Sequence, residues 1–214
     1  MRKSYANIKE DLIMKKKTGV VFALLVAACL LLTGCGAKTA SEQAAGPQQE
    51  LLSGIYTAEL TIKGYGTIRF EMDADKAPIS VTNFVNLAES GFYNGLTFHR
   101  IIDGFMMQGG ASKSEKTPAI RGEFSANGVK NDQSHTRGAV SMARTNDMNS
   151  ASSQFFIVHK DSTFLDGQYA CFGYVTDGMD VVDAICENTP VTDNNGSVSE
   201  ENQPIIESIV ITKG

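Results

Sequence analysis

The sequence predicts a mostly β domain of about eight short antiparallel strands and two helices, and a closed barrel capped by the helices fits that inventory. Three observations carry the reading. Alternating runs such as Ile68, Phe70 and Met72, with polar residues between them, recur along the chain and are separated by turn residues. Twenty glycines and no tryptophan in 214 residues provide for many turns. There is no strand–helix–strand rhythm and no internal repeat, which sets aside a parallel α/β sheet and a solenoid. With 42% hydrophobic and 20% charged residues, the composition is that of a globular chain rather than a disordered one.

The chain opens on an address. Lys15-Lys16-Lys17 precedes Val20 to Leu32, an apolar run of 13 residues. That is short of the roughly 20 residues needed to span a hydrocarbon core, but suits a secretory signal peptide. It ends in Leu32-Thr33-Gly34-Cys35, which resembles the lipobox of bacterial lipoproteins. There the cysteine is alkylated by a diacylglyceryl group and becomes the new N-terminus. Residues 1–34 are therefore expected to be a lipoprotein signal peptide, Cys35 the lipidation site, and residues 35–52 a flexible tether rich in Ala, Ser, Gln, Gly and Pro. Because Met14 directly precedes the lysines, residues 1–13 are a candidate start-site artefact. The expected location is the extracytoplasmic face of the cell membrane.

The domain itself is expected over residues 53–214. Tyr56 to Ile62 and Thr67 to Met72, joined at Gly64-Tyr65-Gly66, read as an opening hairpin. Ser80 is placed to cap a helix with Val81, Phe84, Val85 and Ala88 on one face and Gly91 as its stop. Phe98 to Gln108 reads as a central hairpin with a two-residue turn at Asp103-Gly104. Alternation along its strands groups Phe98, Arg100 and Ile102 on one face, and Met106 with Gln108. The polar stretch from Ala111 to Arg137 is longer than a plain connection, and a loop of that length usually has a function or packs on itself. Ala139 to Arg144, Gln154 to Val158, Ala170 to Val175 and Ile205 to Ile211 complete the strands. Met179, Val182, Ala184 and Ile185 mark a second short helix.

Three ordered blocks now carry a resemblance. Phe98-His99-Arg100-Ile101-Ile102 with Gly104-Phe105 and Gln108-Gly109-Gly110, then Ser153-Gln154-Phe155-Phe156-Ile157, then Phe164-Leu165-Asp166-Gly167 with Phe172-Gly173, are similar to the cyclophilins, the peptidyl-prolyl cis–trans isomerases. The resemblance implies a cyclophilin-like barrel and an enzyme that accelerates rotation of X–Pro bonds in exported proteins. It assigns Arg100, Gln108 and Phe105 to catalysis, with Arg100 as donor to the substrate amide and Gln108 positioning it. It assigns Met106, Ala143, Phe156, Phe164, Leu165 and Tyr169 to substrate binding. It also implies that the stretch from Ala111 to Arg137 borders the substrate groove as a wall. Phe164 and Tyr169 stand where the family often has Trp and His, and Arg144 where many eukaryotic members carry Asn. The indole N–H that helps hold cyclosporin in the family is thus missing. Proline-containing extended polypeptides are the implied partners, with a monomer implied and no cofactor or metal required.

Other chemistry is less well supported. From Cys35 onward there are 13 basic and 22 acidic residues, a net charge of −9 that argues against binding a phosphate backbone. His99, His135 and His159 lack metal-ligand spacing. A hydrolase built on Ser141 or Ser153 with His99 and Asp103 lacks the G-x-S-x-G elbow. An arginine among apolar neighbours can also be half of an internal salt bridge, which is the competing reading of Arg100. Cys171 and Cys186 read as two separate buried thiols. The alternative function is a non-catalytic lipoprotein that holds peptides on the same fold.

Overall fold

The structure, a computed structural model, describes residues 50–214. The signal peptide, Cys35 and most of the expected tether lie outside the described residues. Where the tether was expected to end, Leu52 already packs against the core and donates its N–H to Thr82 Oγ1 (2.9 Å).

Eight strands form one antiparallel sheet: β1 (Ile55–Ile62), β2 (Gly66–Asp73), β3 (Phe98–Ile102), β4 (Met106–Gly109), β5 (Ala139–Met142), β6 (Phe155–Val158), β7 (Cys171–Asp177) and β8 (Ile206–Lys213). Their order is β3-β4-β6-β5-β7-β2-β1-β8, so β3 and β8 are the two edges. The expected closed barrel is in fact an open, curled sheet. Its edges meet through an isolated bridge at Thr97 and Ile205 and through single bonds such as Phe98 N–H to the Pro204 carbonyl (3.0 Å), not through a continuous ladder. Proline at 204 cannot donate to such a ladder, which helps to keep the seam discontinuous.

The two helices are α1 (Pro78–Glu89) and α2 (Met179–Asn188). Phe84 of α1 sits centrally in an aromatic core, with Phe70, Tyr93, Phe155 and Phe172 at ring-centroid distances of 5.1 to 5.6 Å. Such offset and edge-on pairs strengthen packing beyond area burial alone. Ser80 is not the expected cap. The helix begins earlier, at Pro78, whose missing N–H suits the first helical position. Ala77, at the cap, has no side chain to bond with. The buried carboxylate of Glu123 takes over the role, accepting from Ile79 N–H (2.9 Å), Ser80 N–H (2.7 Å) and Ser80 Oγ (2.7 Å).

The central hairpin corrects two further expectations. Ile102 pairs with Met106, so its loop has three residues, Asp103 to Phe105, with Gly104 at φ 72°. A bulge between Phe98 and Arg100 breaks the alternation. Phe98 and Ile101 therefore enter the main core, while Arg100 and Ile102 fall on the opposite face.

Strands β5 and β6 are buried on both faces, which explains their unbroken apolar runs. Phe155 and Ile157 join the main core, and Phe156 and Val158 join a second cluster with Met106, Leu165 and Cys171. Cys171 and Cys186 are free and buried, as expected. Burial pushes their thiols up to about 11 and about 12.

Candidate active site

The second cluster floors a pocket of about 130 Å³, lined by Arg100, Phe105, Met106, Gln108, Ala143, Arg144, Phe156, Leu165 and Tyr169. Eight of the nine side chains assigned from the sequence are brought together here. Phe164 is not among the lining residues. It stands 65% exposed at the rim, its ring 5.6 Å from that of Phe105. The stretch 111–137, expected as a wall, lines none of this pocket.

Arg100 has no acidic partner among the described residues, which removes the salt-bridge reading. Its Nε donates to the Asn195 carbonyl (2.8 Å), and Nη1 lies 3.5 Å from Gln108 Oε1, its cross-strand neighbour. Gln108 in turn donates through Nε2 to Gln154 Oε1 (3.0 Å). The guanidinium is thus oriented by neutral acceptors and keeps its charge uncompensated beside an apolar pocket. Arg100 is only partly buried, so this arrangement leaves the guanidinium open to a ligand.

The seat of Arg100 is itself built. Asp193 Oδ1 accepts from the N–H groups of Asn195 (2.9 Å) and Ser197 (3.0 Å), and these bonds hold its carboxyl below the usual range. Gly196, at φ 78°, lies so close to β3 that a Cβ would sit 2.3 Å from the Ile101 carbonyl oxygen. Both features fix the direction of the Asn195 carbonyl.

A polar triad lies behind the pocket. His135 is buried, with Nδ1 2.8 Å from Asp166 Oδ1 and Nε2 3.0 Å from Ser141 Oγ. Its backbone N–H also donates to Asp166 Oδ1 (2.7 Å). Burial lowers the imidazole's pKa, and the carboxylate opposes that only in part. Burial raises that of Asp166, but bonds from Ser134 and His135 outweigh it and leave it lowered. The arrangement mimics a serine–histidine–aspartate triad, yet Ser141 and His135 are fully buried and unreachable by a substrate carbonyl. Ser153, the other serine considered, donates its hydroxyl to the Gly110 carbonyl (2.8 Å). The His135 ring stacks on Phe156 (6.0 Å, 17°) and meets Tyr169 edge-on, so the triad braces two walls of the pocket.

Arg144, seen in sequence only as a departure from the family pattern, is the site residue that motif matching missed. Its guanidinium lies over the rings of Tyr169 (4.6 Å) and Phe124 (5.1 Å). Ala143 already donates its N–H to the Gln154 carbonyl (2.9 Å), so any backbone contact to a peptide falls to its own carbonyl.

Comparison with known proteins identifies the family. The family model of cyclophilin-type peptidyl-prolyl cis–trans isomerases matches residues 57–213. Peptidyl-prolyl cis–trans isomerase A of Dickeya dadantii is 48% identical over 132 residues, covering 57% of this chain and 67% of that one. The peptidyl-prolyl cis–trans isomerase of Acinetobacter baylyi is 41% identical over 145 residues, covering 65% and 77%. A cyclophilin-type isomerase of Cryptosporidium parvum has a similar crystal structure, with TM-score 0.65, 27% identity and coverage of 75% of this chain and 99% of that one. It has also been solved in the presence of the dipeptide Ala-Pro. The chain belongs to the cyclophilin-type peptidyl-prolyl cis–trans isomerases.

Proposed function

We propose that this isomerase acts on X–Pro bonds of exported proteins, held by a lipid at Cys35 on the extracytoplasmic face of the membrane, with Arg100 as the central catalytic residue. The lipobox-like Leu32-Thr33-Gly34-Cys35 supports the address. Rotation about an X–Pro bond meets a barrier near ~18–20 kcal/mol because amide resonance resists twisting. No bond is made or broken, so the protein need only bind the twisted amide better than either planar isomer. Phe105, Met106, Phe156 and Leu165 offer an apolar seat for the proline ring. Tyr169 and Phe164 extend the aromatic wall, and the Ala143 carbonyl is available to the peptide backbone. Arg100 presents N–H donors to the amide as its nitrogen regains a lone pair, and Gln108 keeps those donors aligned.

The observation that carries the reading is an oriented guanidinium, unpaired with any carboxylate among the described residues, on the wall of a proline-sized apolar pocket. A preorganised donor of this kind contributes roughly 3–4 kcal/mol, or about 10²–10³ in rate. Arg100→Ala is therefore expected to lower kcat/KM for a short X–Pro peptide by at least about 10². Unchanged turnover would remove Arg100 from the mechanism. Peptide binding without any acceleration by the parent would instead favour the peptide-holding lipoprotein. Fractionation and acyl labelling, with Cys35→Ala as control, test the anchor.

A further inference from the structure

The apolar pocket does not end at the proline seat. A second depression of about 240 Å³ adjoins it, sharing Gln108, Ala143 and Arg144 and otherwise lined by Thr145, Ser150, Ser152 and Gln154. The first is floored by apolar side chains, the second is mainly polar, and Arg144 stands at their junction. No carboxylate lines either depression, and their only charged groups are Arg100 and Arg144. From residue 50 onward, however, the chain has 12 basic and 21 acidic side chains. The groove is thus a cationic strip in an acidic domain.

Arg144 is also held still. Nε donates to the Gln168 carbonyl (3.0 Å) and Nη1 to the Thr145 carbonyl (2.8 Å), while Cζ lies over two aromatic rings. Nη2 has no hydrogen-bond partner among the described residues, and no acidic side chain forms an ion pair with this arginine there. A guanidinium fixed by carbonyls and rings has already lost the rotamer freedom that weakens most exposed ion pairs. It can meet an incoming carboxylate without reorganising.

We propose that Arg144 is a specificity-determining residue that favours substrates with an acidic side chain close to the proline in sequence. The inference rests on the isomerase reading above and deepens it: the proline occupies the apolar pocket, and a neighbouring Glu or Asp reaches Nη2 over the polar depression. A basic residue at the same place meets two guanidiniums and is disfavoured.

The test uses the purified full chain in detergent and a set of X–Pro peptides. Glu, Gln or Lys is placed in turn at each of the two positions on either side of the proline. At one position or more, the kcat/KM ratio of Glu to Gln is expected to be about fivefold at low ionic strength, with Lys below Gln. High salt shrinks the ratio through screening. Arg144→Gln is expected to bring it close to one. Because the ratio is taken within each variant, a general loss of folded protein does not move it. A parent ratio near one at every position overturns the proposal, as does a ratio that survives unchanged in Arg144→Gln. Failure to isomerise any of the peptides overturns the underlying isomerase reading instead.

Discussion

Glu123 makes the stability of α1 depend on one side chain from outside the helix. Its carboxylate is 1% exposed and accepts three hydrogen bonds at the start of α1, two from backbone N–H groups that the helix cannot satisfy itself. Pro78 has no N–H, Ala77 offers no side-chain acceptor, and Val81 N–H is the first to bond within the helix, to the Ala77 carbonyl (2.9 Å). Glu123→Ala removes a cap worth about 1–2 kcal/mol and a charge on the positive end of the dipole worth up to ~2 kcal/mol. It also strands buried donors at about 1–3 kcal/mol each. These contributions overlap, so the expected loss is about 3–5 kcal/mol. Glu123→Gln keeps one acceptor but turns an NH2 group toward Ser80, which costs about 2 kcal/mol. Ser80→Ala deletes one hydroxyl bond and costs about 1 kcal/mol. Urea unfolding followed by circular dichroism should rank the three in that order, with Tm falling about 2–4 °C per kcal/mol. If Glu123→Gln lies within experimental error of the parent, or Glu123→Ala is no worse than Ser80→Ala, the capping argument is wrong.

Two further outcomes follow from the layer behind the site. Gly196→Ala places a methyl where only 2.3 Å separates Cβ from a backbone oxygen, at a φ that favours glycine. The loop must shift and carry the Asn195 carbonyl with it. An isomerase assay should show kcat/KM reduced about tenfold or more, while the apolar pocket still binds proline peptides. His135 and Asp166 both contribute to the pH dependence of stability. His135 has a folded pKa below its ordinary 6.5, mainly through burial, so between those values the unfolded chain holds a proton that the native one lacks. Its contribution is complete above about 6.5 and falls as pH drops below it. Asp166, lowered despite its burial by bonds from Ser134 and His135, holds stability above the ordinary 3.8 and loses it as pH falls through its folded value. Urea midpoints measured from pH 8 to 3 should decline in both windows, and His135→Gln should make the upper decline shallower, with His99, also lowered by burial, supplying the remainder.

Much of the fold was legible because alternation and turn residues act locally. β1, β2, α2 and β8 lie within a few residues of where the pattern puts them. The pocket residues were legible through motif resemblance, which supplied what periodicity could not: which face of β4 and β6 lines the pocket. The failures share one cause. The bulge that separates Phe98 from Arg100, the cap that Glu123 provides from 43 residues away, and the carbonyl of Asn195 under Arg100 are all set by tertiary contact. Local propensity has no access to them. His135 was visible only as an isolated histidine, since Ser141 and Asp166 come to it from different strands and turns. Arg144 was visible as a departure, but its stack on Phe124 and Tyr169 was not.

The backbone oxygen beneath Arg100 belongs to a residue 95 positions further along the chain. A polypeptide emerging from its N-terminal end can pair β3 with β4 long before that oxygen exists. Arg100 then hangs from a hairpin with nothing to aim it, and the seam between β3 and β8 is unmade. Loop closure over so great a separation is a late event in assembly. Competence as an isomerase therefore arrives only once the C-terminal stretch is in place. Four X–Pro bonds lie within the described residues, before Pro78, Pro118, Pro190 and Pro204. An unfinished molecule cannot sort them itself but is a substrate for a finished copy nearby, so maturation should quicken as completed molecules accumulate.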